Sequence, residues 1–256
     1  MSKRKDKRQA TQLFSSITQR VASVPSMMED MVEDIAEDDE EQAYLPDSHS
    51  ASHSAAPITD DMLASSTALA PLLIAPEHQP RDLPKMKKFR FQLLHQWMAT
   101  HLLPCRVADV GGGKGLLAWL LQESGWSATV IDPTHQALPD KYKDLRTNKQ
   151  TRIASTERVP HLDQPFQVTM TPDFDLLVAM HAHGCNIQLI DAAAAYKRRV
   201  ILLPCCIIQE PLLPPLNVHW IQCVVDYALH KELSVQPFRL NFKGQNIGLY
   251  LQPTLV

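Results

Sequence analysis

Glycine is scarce in this chain, eight among 256 residues, and none stands before position 111. Lysine and arginine are missing from residues 21–80, which carry thirteen acids instead. Aromatic residues make up only 6%. No apolar run approaches the roughly 18 residues that a membrane-spanning helix needs, and no apolar segment follows the N-terminal charges as it would in a secretory leader. The five cysteines are odd in number and contain no C-x-x-C pair, which argues against a disulfide scaffold. The expectation is a cytoplasmic protein with no membrane partner, or a nuclear one in a cell with a nucleus, where Lys3-Arg-Lys-Asp-Lys-Arg8 would serve as a targeting tag.

These shortages concentrate at the front. Lys3, Arg4, Lys5, Lys7 and Arg8 come first, nine acids follow between Glu29 and Glu41, and Asp47–Pro57 is low-complexity. Blocks of like charge with few large apolar residues bury too little to offset their ordering entropy. Residues 1–80 are therefore expected to be a disordered tail and linker, dispensable for folding, with at most a marginal helix from Thr11 to Val24. Residues 81–256 are expected to form the single folded domain. That part has 19 Lys/Arg against 14 Asp/Glu, a net charge of +5. A modest positive field suits a nucleic-acid partner, and Lys141, Lys143, Arg146, Lys149 and Arg152 form its densest cluster, although such a run also fits a solvated helix face.

Five of the eight glycines stand within or just after the run Cys105-Arg-Val-Ala-Asp-Val-Gly-Gly-Gly-Lys-Gly115, and the helix formers Leu116–Leu121 follow. A strand, a loop without Cβ atoms and a helix opening behind it bring free N–H groups and a positive dipole end to one place. Such a site suits a small anionic cofactor. A dinucleotide fingerprint would need glycine at position 116, which is Leu116, so a nicotinamide oxidoreductase is disfavoured; a P-loop would need Ser or Thr after Lys114, which is followed by Gly115. Asp132, at the end of Ser127-Ala-Thr-Val-Ile-Asp132, lies about 20 positions beyond the loop, where an acid can accept hydrogen bonds from a ribose.

The remaining elements fall in order. A helical face runs from Lys85 to His101 before Pro104 stops it; strands are expected at Arg106–Val110 and Ala128–Ile131, with a helix from Gly115 to Glu123 between them. A third strand is placed near Arg152–Ala154. Phe174–Met180 and Arg199–Leu203 are continuous apolar runs joined by the helix Ile187–Tyr196, the pattern of parallel strands buried on both faces. Leu233–Phe242 and Ile247–Leu251, around a Lys243-Gly-Gln-Asn246 turn, form a closing antiparallel hairpin.

The run Asp109-x-Gly111-x-Gly113-x-Gly115 with Asp132, and parallel strands closed by a hairpin, resemble the class I methyltransferases over residues 85–256. The resemblance implies an α/β, Rossmann-like sheet, mostly parallel with a C-terminal antiparallel hairpin, and S-adenosyl-L-methionine as cofactor. It places Asp109 near the methionine amine, Gly111, Gly112, Gly113 and Gly115 under the methionine part, and Asp132 on the ribose. A strand ending in His181-x-x-Gly184 and another ending in Pro204-Cys205-Cys206 are similar to a narrower group, which includes a eukaryotic tRNA ribose 2′-O-methyltransferase family and the methyltransferase-like domain joined to a glutathione-transferase-like module. The chain departs from that group with His183 in place of a cysteine and Cys185-Asn186-Ile187 in place of Ala-Thr-Asp.

The candidate catalytic residues are His181, His183 and Cys205, since methyl transfer to a hydroxyl or amine needs a proton acceptor near the nucleophile. His181, His183, Cys185, Cys205 and Cys206 also make a nitrogen and sulfur set, but they sit on neighbouring strand tips rather than on a knuckle, and no metal is assigned. The expectation is an S-adenosylmethionine-dependent methyltransferase with RNA, such as tRNA, favoured over protein or small molecules as acceptor. The alternative is a catalytically silent module that binds cofactor or RNA.

Overall fold

The computed structural model describes residues 2–23 and 89–254; the acidic block and the Asp47–Pro57 linker lie outside the described residues. Residues 1–24 and 80–256 form one compact unit. In chain order its elements are helix α1 (Ser2–Ala22), helix α2 (Arg90–His101), strand β1 (Arg106–Val110), helix α3 (Leu116–Gln122), and strands β2 (Ser127–Ile131), β3 (Lys141–Lys143), β4 (Gln150–Arg152) and β5 (His161–Leu162). A 3₁₀ turn at Val168–Asp173 leads into β6 (Leu176–Met180), helix α4 (Asn186–Tyr196), β7 (Arg199–Leu203), helix α5 (Trp220–His230), β8 (Leu233–Arg239) and β9 (Ile247–Pro253).

Seven strands make one sheet in the order β5-β2-β1-β6-β7-β9-β8. The first five are parallel, and β9 returns antiparallel to β7 and pairs with β8 as a hairpin. This is the Rossmann-like α/β sheet expected from the sequence. Its continuous apolar strands are explained by burial on both faces: in β6, Leu176, Val178 and Met180 pack on the side of α2 and α3, while Leu177 and Ala179 pack on the side of α4 and α5. Strand order reverses between β1 and β6, whose register pairs Asp109 with Val178. In open parallel sheets ligands collect beyond the carboxyl ends of the strands at that point.

Three expectations are corrected. The strand beside β2 is β5, at His161–Leu162, not the segment near Arg152–Ala154. Gln150–Arg152 instead pairs with Lys141–Lys143 in a separate two-stranded hairpin. The basic cluster is therefore a hairpin rather than a helix face, with Lys141, Lys143, Gln150 and Arg152 on one side and Tyr142 on the other, set edge-on to Trp119 of α3 at 5.3 Å.

The third correction concerns the front of the chain. Residues 2–22 are helical, and α1 lies on β8 and α5 as part of the same unit. Ile17 is fully buried, Leu13, Phe14 and Val21 pack beside it, Arg20 pairs with Asp226, and the Gln222 amide donates to Ser16 Oγ at 3.0 Å. A helix too short to persist alone is held by a face it covers, so the dispensable tail does not begin at residue 2. Ile17→Ala is expected to cost about 2–4 kcal/mol, the scale of a large-to-small change in a core. Urea unfolding of the full chain measures it, and an unchanged midpoint would return α1 to the status of a tail.

Candidate functional site

The tip of β1 carries the glycine loop, residues 111–115. Gly111 donates its N–H to Ile131 O at 2.8 Å, and Gly113 donates to Asp132 Oδ2 at 3.0 Å. Asp132 Oδ1 accepts from the Thr134 N–H at 2.9 Å. Each oxygen of this half-buried carboxylate so spends one lone pair on backbone and keeps another for hydroxyl donors. Loop and acid, separated by 19 residues, meet as the sequence pattern requires.

Asp109 lies beneath the loop. It is 2% exposed, and a Cβ on Gly112 would stand 2.5 Å from its Oδ2. Burial pushes its pKa up to about 7, opposed by the Ala118 N–H and reinforced by the charge of Asp132. Its Oδ2 has no hydrogen-bond partner among the described residues. Asp109 thus supports the loop from below and touches the first turn of α3, whose N-cap, Gly115, has no side chain to cap with.

A cavity of about 340 Å³ opens on the β2 and β5 side of the loop, within the range of small-molecule sites. Val130, Leu138 and Val159 line it together with His135 and His161. A Cβ on Gly115 would stand 3.1 Å from Val130 and 3.8 Å from both Leu138 and Val159, so that glycine keeps the floor open. The His161 side chain is 6% exposed, one of its nitrogens faces Asp163, and its Nε2 has no partner among the described residues. His135 Nδ1 lies 3.0 Å from Asp163 Oδ1, and the hydrogen bonds from His135 and His161 hold that carboxyl below its ordinary range despite desolvation. Sequence reasoning passed over His161 and Asp163, because the segment 133–165 has no hydrophobic period. The signal lay in a short His-Leu-Asp run able to end a strand.

The other candidates lie across the loop. A Cβ on Gly111 would stand 2.6 Å from Ala182 Cβ, which brings the segment after β6 against the glycine loop. His181 has φ +57°, and its Nε2 donates to Gln245 O at 2.9 Å. A carbonyl only accepts, so Nε2 carries the proton and Nδ1 is the basic nitrogen. Burial lowers the His181 pKa, and the Gln245 bond opposes that. The imidazole is therefore held neutral.

His183 is exposed, and its ring lies with the thiols of Cys205 and Cys206 so that the three donor atoms are within 4.8 Å of one another. The Cys205 thiol is pushed up to about 11 by burial and by Cys206. A thiol raised this far is largely protonated at neutral pH, which makes it a weaker nucleophile or base. The loops behind these residues are clamped by Glu210. It accepts from the N–H groups of Asn186 and Ile187 at 3.0 and 3.2 Å, and so caps α4 from a distant part of the chain.

No protein-family model matches the chain, and no curated protein matches it. Solved structures that align with it include a 1,6-didemethyltoxoflavin-N1-methyltransferase from Burkholderia thailandensis, with 1,6-didemethyltoxoflavin and S-adenosylhomocysteine bound. The identity is 15% over 65% of this chain and 80% of that one, with a TM-score of 0.40. TehB from Haemophilus influenzae aligns at 12% identity over 62% of this chain and 61% of its own, with a TM-score of 0.37. Human N-acetylserotonin methyltransferase in complex with SAM aligns at 16% identity over 65% of this chain and 51% of its own, with a TM-score of 0.35.

The buried Asp109 gives the fold a pH signature. Its folded pKa of about 7 lies above the roughly 3.9 of an exposed aspartate, so the folded state binds the extra proton and stability falls as pH rises between those values. Asp109→Asn removes that slope. Unfolding midpoints of the wild type are expected to drop relative to the variant from about pH 4 to pH 7, and parallel curves would show a carboxyl already ionised in the fold.

Proposed function

We propose that this protein is an S-adenosylmethionine-dependent methyltransferase. The junction of Gly113 and Asp132 beside the 340 Å³ cavity carries the proposal. A carboxylate with lone pairs to spare, a Cβ-free loop and a largely apolar hollow suit a nucleoside with a short charged extension. Val130, Leu138 and Val159 would hold the adenine, and the unpartnered Nε2 of His161 with Asp163 would meet its polar edge. Asp132 would take the ribose hydroxyls. Gly111, Gly112 and Gly113, without Cβ atoms, would give room to the methionine end, with Asp109 supporting them from beneath. When bound, the cofactor supplies an electrophilic methyl group on a sulfonium.

The chain's own task is then to orient the acceptor and move a proton. His181 fits the second role: its Nε2 is fixed by Gln245, and its Nδ1 is neutral and free to accept. His183, on the same segment, would touch the acceptor. RNA is the acceptor class that the surface supports best. The basic hairpin rises from the rim of the cavity, since Asp140 and Ile153, the residues flanking it, both line the hollow. Lysine and arginine on one face of it would neutralise phosphates. A silent binding module is the second reading, favoured by the protonated Cys205 and by the hydrogen bond that already occupies one nitrogen of His181.

Calorimetric titration of the full chain with S-adenosylhomocysteine tests the cofactor site. Asp132→Ala is expected to weaken binding by about 1–3 kcal/mol, the scale for lost charge-assisted hydrogen bonds. No heat from the wild type would end the proposal. Chemistry is tested separately with labelled cofactor and total RNA: His181→Ala should keep its affinity for S-adenosylhomocysteine and lose about 10²-fold in transfer. Wild-type binding without transfer to any RNA or protein pool would favour the silent module.

A further inference from the structure

Two segments that follow β6 and β7 meet beyond the strand ends, and they bring together donors that the sequence separates by 22 residues or more. His183 comes from the first segment, Cys205 and Cys206 from the second, and their three ligating atoms lie within 4.8 Å of one another. All five cysteines are free, and Cys205 Sγ lies 3.6 Å from Cys206 Sγ. That separation is far too long for a disulfide, whose bond is about 2.0 Å. It is close to the edge of a tetrahedron around zinc, where Zn–S bonds of about 2.3 Å set an S···S distance of about 3.8 Å.

The donors are held in place by contacts that do not involve them. Gly184 packs so closely on the second segment that a Cβ there would stand 2.8 Å from Gln209 Cβ and 3.0 Å from Gln209 O. Glu210 then pins the start of α4, accepting from Asn186 and Ile187. Gly184 and Glu210 thus lock both segments, one residue from His183 and four from Cys206. Preorganisation of this kind is what a metal site requires of its surroundings. The sequence pattern gave no such reason to assign a metal, because its five nitrogen and sulfur donors were not visibly convergent. Three of them converge; His181 is bonded to Gln245, and Cys185 is buried in the core.

We propose that His183, Cys205 and Cys206 form a binding site for a thiophilic divalent cation, zinc, on the far side of the glycine loop from the cavity. One imidazole and two thiolates make a soft donor set that suits zinc over calcium or magnesium. Three protein ligands leave a fourth position for water or for a ligand atom. Binding replaces two S–H protons by two Zn–S bonds, so about two protons leave per ion and the charges of the cation and the two thiolates cancel. The site is independent of methyl transfer and would stand if the chain proved to be a silent module.

The test uses the reduced full-length protein and the metal alone. Cobalt(II), titrated as a spectroscopic stand-in, should give thiolate charge-transfer and tetrahedral ligand-field bands that saturate at one equivalent and are displaced by zinc. Zinc calorimetry in buffers of different ionisation enthalpy should report about two protons released. His183→Ala, Cys205→Ser and Cys206→Ser should each weaken zinc binding by at least the roughly tenfold that even outer partners contribute. Cys105→Ser, at the opposite end of the strands, should leave it unchanged. Circular dichroism identifies any variant that fails to fold, and the wild-type cobalt spectrum stands without the variants. A wild-type protein with no thiolate–cobalt band, or three folded variants with wild-type affinity, overturns the proposal.

Discussion

The site depends on backbone segments approaching more closely than side chains allow. Gly111 against Ala182 and Gly184 against Gln209 are contacts in which a Cβ would come within 2.6 and 2.8 Å of its neighbour. Both glycines also hold positive φ, +67° and +71°, where other residues are strained. The first contact joins the loop after β1 to the segment after β6; the second joins that segment to the one after β7. Three strand tips become one surface. A chain with only eight glycines spends two of them on these junctions, at the point where the order of strands reverses and the sheet offers its crevice.

Charge is handled in the same place by side chains reaching in from elsewhere. Neither α3 nor α4 has a local side-chain cap, yet both begin at the site. Asp109 serves the first turn of α3 from beneath, and Glu210 serves α4 from the end of the β7 segment. Carboxylates near helix N-termini are stabilised by the exposed N–H groups and the dipole. Each cap therefore fixes a loop as well as a helix. Asp109 bears a cost for this, since its other oxygen is buried without a partner.

Much of this was legible from residue pattern. The apolar runs Leu176–Met180 and 200–203 located β6 and β7, because strands covered on both faces need apolar side chains at nearly every position. The Asp109-to-Gly115 run located the loop, and the distance to Asp132 located its partner. What failed were features made by tertiary contact. The sequence could not show that α1 has a face to cover, because Leu13, Phe14, Ile17 and Val21 are too few to fold alone and gain burial only against α5 and β8. The two-residue strand β5 is too short to carry a period, so the expected strand fell near Arg152–Ala154 instead. His161 and Asp163 gain meaning only once β5 is placed beside β2.

The two sides of the glycine loop differ in chemistry, and that difference orders the proposed reaction. On the β2 and β5 side, the hollow is walled by residues 135–140 and 153–161, so a nucleoside there would be enclosed. On the β6 and β7 side, His181 is half-buried while His183 is open to solvent. A bulky acceptor such as RNA can approach only where the surface is open, and it would find an imidazole held neutral by burial at its edge.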